Sequence, residues 1–260
     1  MSHSLIVVGA AGRMGRLVAT ALRQAGRSDI AGYDPAAGAT LVLEDGRLPL
    51  VTDPCAELAP NGVIVDFSHP DATPLLLRAV RERRARLVVG TTAQSEEQWA
   101  ALREAASATA VVAARNFSLG VGRLLQLLPA FAVLRDDGFD VECVEIHHRD
   151  KRDAPSGTAV SLLDALGAGS APRAHGRSGR DAKRQSGEIG IHSLRLGATV
   201  GEHQVWFGGA HEVIEIRHRA LDRAAFVTGV VPAVRFAERA RPGFYSLLDV
   251  MCDGTSSMAT

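Results

Sequence analysis

Two adjacent histidines, a lysine and a Pro-Ser-Gly-Thr turn fall within one short run, Glu145-Ile-His-His-Arg-Asp-Lys-Arg-Asp-Ala-Pro-Ser-Gly-Thr158. His147 and His148 are of the residue type that exchanges protons near neutral pH, and Lys151 adds a fixed cation. The apolar run Val141 to Ile146 reads as a strand and Ala159 to Leu166 as a helix. Ser156, Gly157 and Thr158 would then cap that helix, where unsatisfied N–H groups and the positive dipole end attract an anion. Proton donors beside an anion cradle point to an enzyme acting on a small acidic substrate. Neighbours on a regular strand face opposite ways, so both histidines serve one site only where the strand ends or bends; otherwise one of them is structural. Lys151 taken alone is equally a surface charge, and its place between the histidines and the capping turn favours anion binding.

A second chemical signal lies at the other end of the chain. Gly9-Ala10-Ala11-Gly12-Arg13-Met14-Gly15 follows the apolar run Leu5 to Val8 and opens a helical pattern, the context that a dinucleotide fingerprint requires. Its spacing is a variant of GxGxxG, and the plainer reading is a tight strand–helix turn. Asp34 ends a second strand 19 residues beyond Gly15, close to the roughly 20 expected of a ribose-binding acid. A carboxylate there favours NADH over NADPH because it repels a 2′-phosphate, whereas Arg13 and Arg16 argue the other way. Asp34 is also an ordinary Asp-Pro turn residue, since Pro35 follows.

These groups need elements to hold them. Val63 to Val65, Leu87 to Val89 and Ala110 to Ala113 are further short apolar runs separated by helical patterns, among them Leu75 to Val80 and Gln98 to Ala106. Such alternation predicts an α/β fold with a doubly wound parallel sheet of the Rossmann type. Asp66-Phe-Ser-His-Pro70, Gly90-Thr91-Thr92 and Ala114-Arg115-Asn116-Phe117 then follow carboxyl ends of strands, where such sheets place ligands. Beyond Asn116 the rhythm changes. Leu119 to Val133 reads as one long amphipathic helix, and strand-like segments follow at Val141 to Ile146, Glu188 to Leu196, Gln204 to Phe207 and Glu212 to Arg217, predicting a second, mixed or antiparallel sheet. Ala168 to Gly187 reads as an exposed mobile loop, its basic part Arg173 to Arg184 more a solvated loop than a lid that attracts the substrate, and Arg223 to Arg239 as a helix returning to the first domain. His175, His192, His203, His211 and His218 read as structural or surface residues.

Composition narrows the classes. The chain has 260 residues, 46% apolar, with a formal net charge of +0, which lends no support to a nucleic-acid or membrane-surface role. Cys55, Cys143 and Cys252 are odd in number and far apart, which favours a reduced cytoplasmic setting over a disulfide framework. No compact ligand spacing points to a metal site, and no apolar run reaches the roughly 20 residues of a membrane span.

Taken together, these motifs resemble the bacterial dihydrodipicolinate reductases, also called 4-hydroxy-tetrahydrodipicolinate reductases, of lysine and diaminopimelate biosynthesis. The likeness covers nearly the whole chain. It rests on Gly9–Gly15, Asp66–Pro70, Gly90–Thr92, Asn116–Val121, Glu145–Ala159, Gly187–Gly197 and Val200–His203. The His-His-x-x-Lys-x-Asp-Ala-Pro-Ser-Gly-Thr string is highly specific and the glycine loop is not. The resemblance implies a dinucleotide-binding domain formed by residues 1–118 and 228–260, with an inserted α+β substrate-binding and oligomerisation domain of residues 119–227, built on a mixed sheet and assembling as a homotetramer. Hinges near Ser118 and Thr228 go with that layout. It implies hydride transfer from NADH or NADPH to a cyclic imine dicarboxylate with loss of water. His147 matches the general acid and Lys151 its partner, which also binds substrate. His148, Ser156, Gly157 and Thr158 match the substrate-carboxylate segment. Gly9, Ala10, Ala11, Gly12, Arg13, Met14, Asp34, Gly90, Thr91, Thr92, Ala114, Arg115, Asn116 and Phe117 match nucleotide contacts. Pro35 stands where many members carry a basic residue, so the expectation is NADH preference or dual use. The competing expectations are a reductase of a different cyclic imine acid and a non-catalytic nucleotide-binding relative.

Overall fold

Apolar runs too short for helices and bounded by glycine or polar residues form a parallel sheet buried on both faces. In the computed structural model, which describes residues 2–169 and 171–256, six parallel strands run in the order Gly243–Tyr245, Ala110–Ala113, Arg86–Val89, Leu58–Asp66, His3–Val8, Ile30–Tyr33. Ile6, Val8, Ile64, Leu87, Val89 and Val111 lie at the centre of one buried cluster. The helix Arg13–Gln24 packs beside Val230–Arg239, and Thr73–Arg83 packs beside Glu96–Ala105. Each presents a small or apolar stripe at helical spacing; in Arg13–Gln24 the buried residues are Gly15, Val18, Ala19 and Leu22. Ser95 and Gln98 close a reciprocal capping box that starts Glu96–Ala105. A hairpin of Thr40–Leu43 and Gly46–Pro49, absent from the sequence reading, adds buried Leu41, Leu43 and Leu48.

The chain divides into two units, residues up to Ser118 with those from Phe226 onward, and Leu119–Ala225. The second unit holds a mixed sheet in the order Val213–Ala220, Gly201–Gly208, Asp140–His147, Ile189–Arg195, Arg173–Ala174. Asp140–His147 pairs parallel with Ile189–Arg195 and antiparallel with Gly201–Gly208. Its alternate residues Val141, Cys143, Glu145 and His147 are buried, and the apolar members join Leu162, Leu163 and Phe207 in a separate core.

Two helices expected to be continuous are broken. Leu119–Leu127 gives way to a 3₁₀ turn at Leu128–Phe131 and a short helix at Val133–Asp136. Pro129 explains the break, because it has no N–H for the ladder and its ring crowds the preceding turn. Arg223 to Arg239 is a 3₁₀ segment, Arg223–Val227, followed by the helix Val230–Arg239. Here the Gly229 N–H is taken by the Phe117 carbonyl at 2.7 Å and Thr228 Oγ1 lies 3.4 Å from the same oxygen. Those contacts tie together the two points at which the chain leaves and re-enters the first unit. The basic segment is also not a simply solvated loop. Arg177 reaches Glu142 at 2.8 Å and Glu188 at 2.5 Å, and Arg184 bonds Glu142 and the Glu188 carbonyl.

Candidate active site

In the first unit the parallel register brings five strand ends into line. Val8 is opposite Tyr33 and Asp66, Asp66 opposite Val89, and Val89 opposite Ala113. The segments that follow, starting at Gly9, Asp34, Phe67, Gly90 and Ala114, therefore share one edge. Gly9 has φ +78°, and a Cβ there would press on the Ser68 backbone. A Cβ at Gly15 would overlap the Gly9 carbonyl oxygen, so only glycine lets the helix approach the strand end this closely. Gly12 caps the helix with no side-chain bond and no acidic residue follows in the first turn, which leaves its dipole end for an external anion.

Asp34 Oδ2 accepts the Ala11 N–H at 3.0 Å and Oδ1 accepts the Ala36 N–H at 3.1 Å. Its carboxylate is thereby fixed against the glycine loop. Arg13 and Met14 open the helix, Arg13 exposed and Met14 half-buried. Arg16 is committed to the carbonyls of Ala11 and Val42, at 3.1 and 2.9 Å. Behind the loop, Thr91 Oγ1 accepts the Ser68 N–H at 2.9 Å, and the Phe67 ring packs tilted against Phe117 at 5.6 Å between centroids. Gly90 packs on the Phe67 ring where a Cβ would not fit. Burial raises the Asp66 carboxyl above its ordinary range. Thr92 and Arg115 are exposed, Ala114 and Asn116 half-buried, and Asn116 Oδ1 accepts the Ser118 N–H at 2.8 Å. A glycine-turned helix end beside a fixed carboxylate fits a dinucleotide: N–H groups for its pyrophosphate and an acceptor for a ribose.

In the second unit the strand Asp140–His147 ends at the first histidine, and His148 begins a turn in which its carbonyl accepts the Lys151 N–H at 3.2 Å. His147 is 8% exposed and Glu145, two residues earlier on the same face, 0%. The His147 Nδ1 bonds Glu145 Oε2. Arg195 grips both Glu145 oxygens at 3.0 and 3.1 Å. Burial alone would raise the Glu145 carboxyl, but the bonds from His147 and Arg195 outweigh it and hold it down at about 2. Lys151 Nζ lies 2.8 Å from Asp153. Pro155 then leads into the helix Gly157–Ala165, whose cap Ser156 accepts the Ala159 N–H at 3.1 Å.

Sequence reasoning missed part of this cluster. Ser156 Oγ lies 3.0 Å from His203 Nε2, and the His203 ring meets His147 edge-on at 5.2 Å and His218 at 6.4 Å. His203 and His218 thus lie beside His147, a placement that their reading as structural or surface residues did not include. Burial, with His147 and His218 nearby, pushes His203 down to about 3, so it is neutral. The signal was present in the alternation Val141, Cys143, Glu145, His147, since a charge on the core face of a strand demands a buried partner. The partners Arg195 and His203 lie on neighbouring strands, which no local pattern identifies.

Two sequence profiles of one family cover nearly the whole chain. The profile for the dihydrodipicolinate reductase N-terminus matches residues 3–117, and that for its C-terminus matches residues 120–251. The chain belongs to the dihydrodipicolinate reductase family. It is 43% identical to the 4-hydroxy-tetrahydrodipicolinate reductase of Rubrobacter xylanophilus over 94% of this chain and 96% of that one. It is 40% identical to that of Alkalilimnicola ehrlichii over 96% and 99%. The fold is shared with a dipicolinate-bound dihydrodipicolinate reductase from Paenisporosarcina sp. TG-14, with a TM-score of 0.70 at 24% identity over 95% and 98% of the two chains. Family membership makes the chain an oxidoreductase using a reduced nicotinamide nucleotide, active as a 4-hydroxy-tetrahydrodipicolinate reductase in lysine and diaminopimelate biosynthesis.

Proposed function

We propose that His147 is the general acid of this reduction and that Lys151, His148 and the first turn of Gly157–Ala165 hold the substrate carboxylates. The observation that carries the reading is the buried Glu145–His147 pair two strand positions apart, beside a capped helix end. Overall, one hydride and one proton enter and one water leaves. The nicotinamide, when bound, supplies the hydride. Hydride addition to the conjugated imine pushes an electron pair onto the ring nitrogen, and a positioned acid there accelerates the step about 10²–10⁴-fold. Glu145 occupies Nδ1, so Nε2 is the nitrogen that holds the transferable proton. Lys151 already faces a carboxylate, Asp153, and an incoming dicarboxylate offers the same partner. Ser156 uses its hydroxyl on Ala159, leaving the helix dipole to orient the anion.

Residues 1–118 with 228–260 form the nucleotide domain in this reading and 119–227 the substrate domain. Gly9–Met14 and Asp34 receive the pyrophosphate and ribose; Gly90–Thr92 and Ala114–Phe117 flank them at the same strand edge. NADH is preferred or both cofactors are used, because Asp34 is locked toward the loop and Arg16 is spent on carbonyls. Exposed Leu194, Leu196 and Val213 on or beside the second sheet support assembly as a homotetramer through it. The buried free thiols Cys55 and Cys143 suit a reduced, cytoplasmic setting.

The test follows nicotinamide absorbance with NADH and NADPH in parallel, using substrate made in situ from pyruvate and aspartate semialdehyde. His147→Gln is expected to lower kcat about 10²-fold or more while sparing KM. A rise in KM alone would contradict the acid role, and a strong NADPH preference would contradict the reading of Asp34.

A further inference from the structure

Arg195 makes more contacts than neutralising one carboxylate requires. Register places it opposite His147 on the neighbouring parallel strand. Nη1 donates to both Glu145 oxygens, at 3.0 and 3.1 Å, and Nη2 donates to Oε1 at 3.0 Å. The same group reaches across to the turn after the strand: Nε donates to the Lys151 carbonyl at 3.2 Å and Nη2 to the Asp153 carbonyl at 2.6 Å. The carbonyl of Leu194 takes a further bond from Nη1 at 2.8 Å. One planar, rigid fork thus spans the partner of His147 and the backbone carrying Lys151.

We propose that Arg195 is a positioning residue for the reaction, fixing the Glu145–His147 pair and the Lys151 turn in one relation to each other. It touches neither substrate nor proton. Glu145 supplies the first half of the device: its carboxylate holds the His147 ring by Nδ1, so that Nε2 faces the substrate. Arg195 supplies the second half, because its bonds to Glu145 and to the Lys151 and Asp153 carbonyls make any shift of the turn a shift relative to the acid. Loosening that tie lets the turn that binds the substrate drift while Glu145 still holds the acid, so KM rises before kcat falls.

The inference rests on the roles given above to His147 and Lys151, and the experiment separates the two. Steady-state kinetics would compare Glu145→Gln, Arg195→Lys, Arg195→Met and His147→Gln, each checked for native circular dichroism. Glu145→Gln weakens the hold on the acid and one end of the Arg195 fork while the bonds from Arg195 to the Lys151 and Asp153 carbonyls remain, so kcat falls about 10²-fold and KM rises less than in the Arg195 variants. Arg195→Lys keeps a positive charge beside Glu145 but cannot span both carbonyls. Its kcat stays within about threefold of the parent while KM rises about tenfold. Arg195→Met loses both and moves kcat and KM together. Should the methionine variant fail to fold, the lysine variant carries the test through its KM-against-kcat split. Arg195 variants that fold and leave KM within about twofold of the parent overturn the proposal. A His147→Gln variant that keeps its kcat overturns instead the reading beneath it.

Discussion

Removing the Ser156 hydroxyl is expected to weaken the second unit in two ways at once. Ser156 Oγ accepts the Ala159 N–H at 3.1 Å and caps the helix Gly157–Ala165. The same hydroxyl is hydrogen-bonded to Nε2 of His203, 3.0 Å away, a neutral ring only 3% exposed. Ser156→Ala loses the cap, about 0.5–2 kcal/mol, and strands a buried imidazole nitrogen, about 1–3 kcal/mol. Together the loss is about 1.5–5 kcal/mol, which lowers the melting midpoint by about 3–20 °C. Calorimetry measures the midpoint, and amide hydrogen exchange at Ala159 reports whether the first helical turn has frayed. A midpoint within about 1 °C of the parent would refute the reasoning, because it would show that neither bond survives in solution.

Acid should destabilise the fold in two stages. His203 binds a proton near 6.5 when unfolded but only near 3 in the fold, so its contribution is complete above pH 6.5 and is lost as pH falls toward 3. Glu145 adds a second loss between its ordinary 4.5 and about 2. Urea midpoints at about pH 7.5 and pH 5.5 should therefore differ more in the parent than in His203→Gln, where His218, also lowered by burial, still contributes; an unchanged pH dependence in the variant would remove His203 from the account. Gly15→Ala places a Cβ against the Gly9 carbonyl oxygen, so it should cost about 1–3 kcal/mol and weaken nucleotide binding, read by calorimetry and by NADH fluorescence; binding equal to the parent would argue that the helix end is not the pyrophosphate seat.

The parallel sheet was legible in the sequence because each strand is a short continuous apolar run, and Val63–Val65, Leu87–Val89 and Ala110–Ala113 all fall in the observed strands. Ser156 was legible as a cap because its pattern is local. Three classes of feature were not. Gly243–Tyr245 is short and mixed in character, and it becomes a strand only by pairing with Ala110–Val112. The hairpin Thr40–Pro49 does carry a local turn signal, Asp45-Gly46, but its two four-residue strands are each too short to read as strands alone. The His147 environment depends on Arg195 and His203, each about fifty residues away and placed by strand register. Pro129 is a different case, since a proline inside an expected helix is itself a local stop signal.

The bond between the Phe117 carbonyl and the Gly229 N–H has a consequence for the order of assembly. The second unit is one uninterrupted stretch of chain, Leu119–Ala225, and every strand of its sheet has been synthesised before the chain reaches Phe226. The first unit starts earlier but needs Val230–Arg239 against its sheet and Gly243–Tyr245 at its edge. During synthesis at roughly 5–20 residues per second, its Ala110–Ala113 strand waits several seconds with that edge unpaired. The domain begun first is therefore the domain completed last, and its bare strand edge in the interval is where nascent chains of this protein are most exposed to misassociation.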